Sequence, residues 1–171
     1  LFASSSPSDL PFLKQTYPFL FSKQFSDSVW TRRMEDPIQG LLAAAVDSVF
    51  SDFTKIEAEI TSFYQHLKYY SKPLKMPRLI TVLSDVDYRN KIAVTDTIVL
   101  IALDTYLGDD HEFYKSFYDY IKQNLNSTQI VPDLATSYAE QLIYQPNRVT
   151  FLAEMIYFGK QLYLKDLWIP F

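Results

Sequence analysis

Thr97-Ile98-Val99-Leu100-Ile101-Ala102-Leu103-Asp104 is a run of β-branched and aliphatic residues that stops at a carboxylate. It does not alternate polar with apolar, as a half-solvated strand would, so it reads as a strand covered on both faces. Two shorter segments accompany it. Leu79-Ile80-Thr81-Val82-Leu83 has the composition of a buried strand, and Ile92-Ala93-Val94 follows the polar loop Ser84 to Asn90. Three strands make a small sheet, and the cover must come from helices.

The remainder of the chain supplies them. Pro11 and Pro18 confine a first helix to the span between them. Asp36-Pro37 is a helix start, because the carboxylate can cap the first turn and proline is preformed at the first helical position. Ile38, Leu42, Val46, Val49 and Phe53 then recur at helical spacing. Thr54-Lys55-Ile56-Glu57 has the pattern of a capping box, so either a second helix begins there or one bent helix continues to Tyr70, and Pro73 and Pro77 stop it. Asp109 or Asp110 should cap a helix displaying Phe113, Phe117, Tyr120, Ile121 and Leu125. Pro132 should open another with Leu134, Tyr138 and Leu142, closed by Pro146. Asn147 is positioned to cap a closing helix from Arg148 to Leu164. The fold class is therefore α+β, predominantly helical with a sheet of about three strands. Residues 1–9 read as a flexible leader and residues 10–171 as one domain.

Composition narrows the function. At 171 residues the chain can bury about 70% of the surface of its unfolded form in one core. With no cysteine it has no disulfide, thiolate metal site or cysteine nucleophile. Sixteen basic residues face twenty acidic ones without a basic cluster, which argues against nucleic acid as a partner. No stretch reaches the ~20 apolar residues of a membrane span. Thirteen Tyr and thirteen Phe suit packed helices first and sugar or protein surfaces second. Leu1 opens the chain without an initiator Met, which suggests a processed or trimmed product. The apolar end Ile169-Pro170-Phe171 suggests truncation on the C-terminal side.

Ala153-Glu154-Met155-Ile156-Tyr157 has the layout of a zinc-protease H-E-x-x-H helix with both histidines replaced. Zinc needs those two ligands on one helical face and the glutamate as base on metal-bound water. Here the ligand positions are Ala153 and Tyr157, and the chain has just two histidines, His66 and His111. No catalytic residue, metal or cofactor is expected, and Glu154 should be a partly buried carboxylate bonded to a neighbour. Asp104, at the end of a buried strand beside Tyr106, must find donors and is expected to organise its loop. His111, after Asp109 and Asp110, fits a capping cluster better than a metal site. Asp85 and Asp87 belong to a solvated loop and lack calcium-loop spacing.

Several blocks taken together carry a resemblance. Lys75-Met76-Pro77-Arg78-Leu79-Ile80-Thr81, Ser84-Asp85-Val86-Asp87-Tyr88, Ile101 to Gly108 with Asp110-His111 and Tyr114, Ile130-Val131-Pro132-Asp133, and Thr150 to Lys160 with Leu162-Tyr163 are similar, in order and spacing, to the GldB gliding-motility-associated lipoproteins of Bacteroidetes. The likeness covers about Tyr17 to Phe171. It implies an envelope lipoprotein, facing the periplasm, required for gliding and the associated type IX secretion, and the empty ligand positions at Ala153 and Tyr157 add the expectation that it is non-catalytic. It further implies that other gliding or secretion proteins are the partners, and that the membrane is met only through an acylated cysteine upstream of Leu1. Members of the family are larger, so this chain resembles their front portion. More distantly the strand-then-helix order looks like a zincin without metal. Two alternatives follow: a zincin-like hydrolase using Glu154, and a glycan-binding envelope lipoprotein using Tyr64, Tyr69 and Tyr70.

Overall fold

The computed structural model describes residues 5–22, 24–71 and 75–169. Three strands, β1 (Arg78–Val82), β2 (Ile92–Val94) and β3 (Ile98–Ala102), form one sheet in the order β1-β3-β2. β3 is central, parallel to β1 with Arg78 opposite Ile98 and Val82 opposite Ala102, and antiparallel to β2 with Ile92 opposite Ile101. The cover is less even than the unbroken apolar run implies. Val99 and Ile101 are buried, whereas Ile98 and Leu100 on the other face are half-buried. Leu103 has already left the strand for a 3-10 turn, Leu103–Thr105. An apolar residue at every position hid the alternation that the pleat imposes.

Among the described residues the sheet is accompanied by seven helices: α1 (Leu10–Thr16), α2 (Asp27–Met34), α3 (Pro37–Val49), α4 (Thr54–Tyr70), α5 (Asp119–Lys122), α6 (Ile130–Leu142) and α7 (Phe151–Trp168). The α+β class and the small sheet follow the sequence reading. Of the leader expected over 1–9, residues 1–4 lie outside the described residues, while Pro7–Asp9 form a 3-10 turn that leads into α1. Asp36 caps α3 as expected, its carboxylate accepting from the Ile38 amide at 2.9 Å. α3 and α4 are separate helices, and the capping box at Thr54 does not form. Phe53 takes the capping position and the Asp52 carboxylate receives the Thr54 amide at 3.0 Å. Pro73, read as a helix stop, lies outside the described residues.

The expected helix over Phe113 to Leu125 is replaced by a 3-10 turn, Glu112–Tyr114, and the single turn α5. Tyr114 is fully buried and its hydroxyl bonds backbone groups of Asp104 and Leu107, so a tertiary anchor overrides the helical spacing. α6 begins two residues before Pro132, where the missing amide of proline breaks no helical bond because it lies in the first turn. α7 is capped by Thr150, whose side chain accepts from the Ala153 amide at 3.2 Å, rather than by Asn147, and it runs four residues beyond Leu164.

The core is aromatic where α4, α6 and α7 meet. Phe63 packs edge-on against Trp168 at 6.3 Å and against Tyr64 at 5.2 Å. The hydroxyls of Tyr64 and Tyr138 lie 3.2 Å apart. Tyr64 is thus an internal residue, while Tyr69 and Tyr70 are exposed, so the three tyrosines named for a glycan surface do not share one.

Candidate functional site

Just beyond the end of β3 stands a fully buried carboxylate held by several hydrogen bonds. Asp104 is 0% exposed. Its carboxylate accepts the Val86 amide at 2.7 Å, the Ser84 amide at 3.0 and 3.1 Å, and the Ser84 hydroxyl at 3.2 Å. Burial pushes the carboxyl up from its ordinary value, and the bonds from Val86 and Ser84 pull it partly back. These bonds hold Asp85 at φ 59° and Val86 at φ 60°. A β-branched residue in that region carries strain on the order of 1–3 kcal/mol, which persists because the surroundings over-determine the conformation. The turn presents the Asp85 carboxylate outward, where it meets Arg33 at 2.8 Å and also Gln39. An open cleft of about 410 Å3 lies there, between α2, the first turn of α3 and this loop.

Tyr106 and His111 are brought to the same region by different partners. The Tyr106 hydroxyl donates to Asp133 at 2.9 Å, and Lys91 pairs with the same oxygen while its ammonium sits 5.1 Å from the Tyr106 ring centre. Desolvation first, and the Asp133 charge second, push the Tyr106 phenol upward. His111 caps the turn that follows it, accepting from the Phe113 amide at 3.4 Å and stacking on the Phe113 ring at 5.3 Å. The link is Tyr114, whose ring lies 5.8 Å from His111 and whose hydroxyl donates to the Asp104 carbonyl at 2.7 Å. Tyr114 and Lys91 are the residues whose roles sequence reasoning missed. Tyr114 enters that reasoning only as part of a block that carries the family resemblance, and Lys91 is not singled out at all.

At the start of α7 the zinc-like motif is occupied by its own neighbours. The Arg148 side chain donates from Nε to both oxygens of Glu154, at 3.1 Å each, and from a terminal nitrogen to the Gln145 carbonyl at 2.7 Å. Its guanidinium carbon stands 3.8 Å from the centre of the buried Tyr157 ring. Glu154 is therefore the partly buried, bonded carboxylate expected, and a guanidinium supplies the positive charge beside it. Ala153 offers no ligand atom, so these residues do not fit a zinc ion. Among the described residues no group of three or more His, Asp or Glu is arranged to hold a metal.

α7 buries Tyr157, Gln161 and Trp168 against the body of the protein. Its other sides carry Phe151, Leu152, Met155, Ile156, Phe158, Leu162 and Tyr163, each between 48 and 80% exposed. A helix apolar almost all round is normally covered on every side.

The family described as gliding motility protein GldB matches the chain over residues 1–171. The chain belongs to the GldB family. That family is one of gliding-motility lipoproteins, so the blocks around Asp104, Tyr106 and His111 and the Arg148–Glu154–Tyr157 arrangement are features of a GldB-family chain. No curated protein and no solved structure matches the chain. Among the described residues no helix is long and apolar enough to cross a membrane.

Proposed function

We propose that this GldB-family chain is a non-catalytic envelope component of the gliding machinery, held by a lipid anchor and facing the periplasm. It works by docking another protein of that machinery or of the associated type IX secretion apparatus. The observation that carries the reading is the outer surface of α7. Seven large apolar side chains on one helix, each between 48 and 80% exposed, make an apolar surface of the kind that marks protein contacts. The Arg148 guanidinium bound to Glu154 supports the non-catalytic part, because the carboxylate that would activate a metal-bound water is engaged with it.

The test places a photoactivatable residue at Met155 in the full protein, in its own cell envelope. Illumination should join it covalently to a second protein of the gliding or secretion machinery. Links within its own polypeptide alone, to lipid alone, or none at all would refute the reading.

A further inference from the structure

A second cleft, of about 280 Å3, opens where the loop before β2 meets α5 and the first turn of α6. Its lining includes the paired charges Lys91 and Asp133, the aromatic rings of Tyr88 and Tyr120, and Asn124. One Asp133 oxygen takes both the Tyr106 hydroxyl and the Lys91 ammonium. No described residue donates to the other, Oδ1, and none donates to Asn124 Oδ1. Two solvent-facing acceptors at the cleft are therefore not taken by protein donors among the described residues. Asp133 is fixed from beneath by a fully buried tyrosine, so little ordering is required when a donor arrives.

The cleft is neutral as a unit, because the Lys91 and Asp133 charges compensate within it. That disfavours an ion and favours an uncharged ligand rich in hydroxyl donors. The aromatic wall adds a second requirement. Tyr120 is 68% exposed and stacks on Tyr118 with ring centres 5.9 Å apart and 12° between planes, a flat platform suited to a C–H face. Vicinal hydroxyls on one edge and an apolar C–H face on the other describe a pyranose ring.

We propose that the cleft lined by Tyr88, Tyr120, Lys91 and Asp133 is a saccharide subsite. Sugar hydroxyls donate to Asp133 Oδ1 and Asn124 Oδ1, and the ring lies on Tyr120. The site is distinct from the exposed Tyr69 and Tyr70 pair, which has edge-to-face geometry at 4.9 Å and 88° and offers no flat platform.

Saturation-transfer NMR and calorimetry on the full chain would test this with methyl glycosides of glucose, galactose, mannose and N-acetylglucosamine, alongside sodium phosphate. At least one glycoside should bind with millimolar affinity and phosphate should not. Tyr120→Ala, a surface change that leaves the fold intact, should weaken binding by at least about fivefold, as loss of an aromatic contact implies. Tyr69→Ala should leave it unchanged. Silence from all four glycosides, stronger binding of phosphate, or equal losses in the two tyrosine variants would overturn the proposal.

Discussion

At the scale of single residues, Asp104 does the most to shape the molecule. Its carboxylate is the partner of two backbone amides in a turn whose φ angles are unfavourable for Asp and Val, so the loop depends on it. Asp104→Ala leaves both amides without that acceptor and should cost about 2–4 kcal/mol, read as a fall in urea midpoint at unchanged slope. The pH dependence has a definite sign. Because the folded-state pKa is raised, the folded protein binds this proton more tightly than the unfolded chain does. The contribution of Asp104 to stability therefore grows as pH falls from neutral through the raised value toward 3.8, and shrinks as pH rises. The stability gap between the wild type and Asp104→Asn should widen over that acidic window, measured by urea unfolding at a series of pH values. A gap that narrows there would show that the carboxyl is not held above its ordinary pKa.

At the scale of elements, α7 is an ordinary buried helix on one side and an unfinished one on the other. Trp168 is fully buried against Phe63, yet its indole nitrogen has no hydrogen-bond partner among the described residues. Trp168→Ala should thus cost about 3–5 kcal/mol, while Trp168→Phe keeps much of the ring and removes the unpartnered N–H, so it should cost well under half as much in thermal unfolding. Elements of this kind were legible in the sequence when local chemistry decided them. Asp36-Pro37 set the start of α3, and the β-branched runs at Leu79 and Ile98 set β1 and β3. Legibility failed where a distant partner decided. Tyr114 converts a helical spacing into turns by bonding Asp104 and Leu107. At Thr54 the failure is local instead, because the Asp52 carboxylate, two residues away, takes the amide that a capping box would have organised. The candidate site followed the same division. Asp104 at a strand end announced a need for donors, and Glu154 a need for a partner. That the partners would be Ser84, Val86 and Arg148, and that Lys91 would meet Tyr106 through Asp133, depends on packing that no local pattern encodes.

At the scale of the whole molecule, a sheet and its helices close one core of buried aromatics and aliphatics, and among the described elements α7 leaves the most large apolar side chains exposed. Exposed positions away from caps, cores and buried pairs change stability by less than about 0.5 kcal/mol when substituted, whereas charges placed in a docking surface disrupt it. Folding and function should therefore separate on this helix. The most direct measurement is surface spreading by cells whose full protein carries Met155→Glu together with Leu162→Lys, with thermal unfolding of the purified variant recorded beside it. The account predicts loss of spreading and of type IX secretion at an almost unchanged melting temperature. Normal spreading and secretion with both charges in place would contradict it.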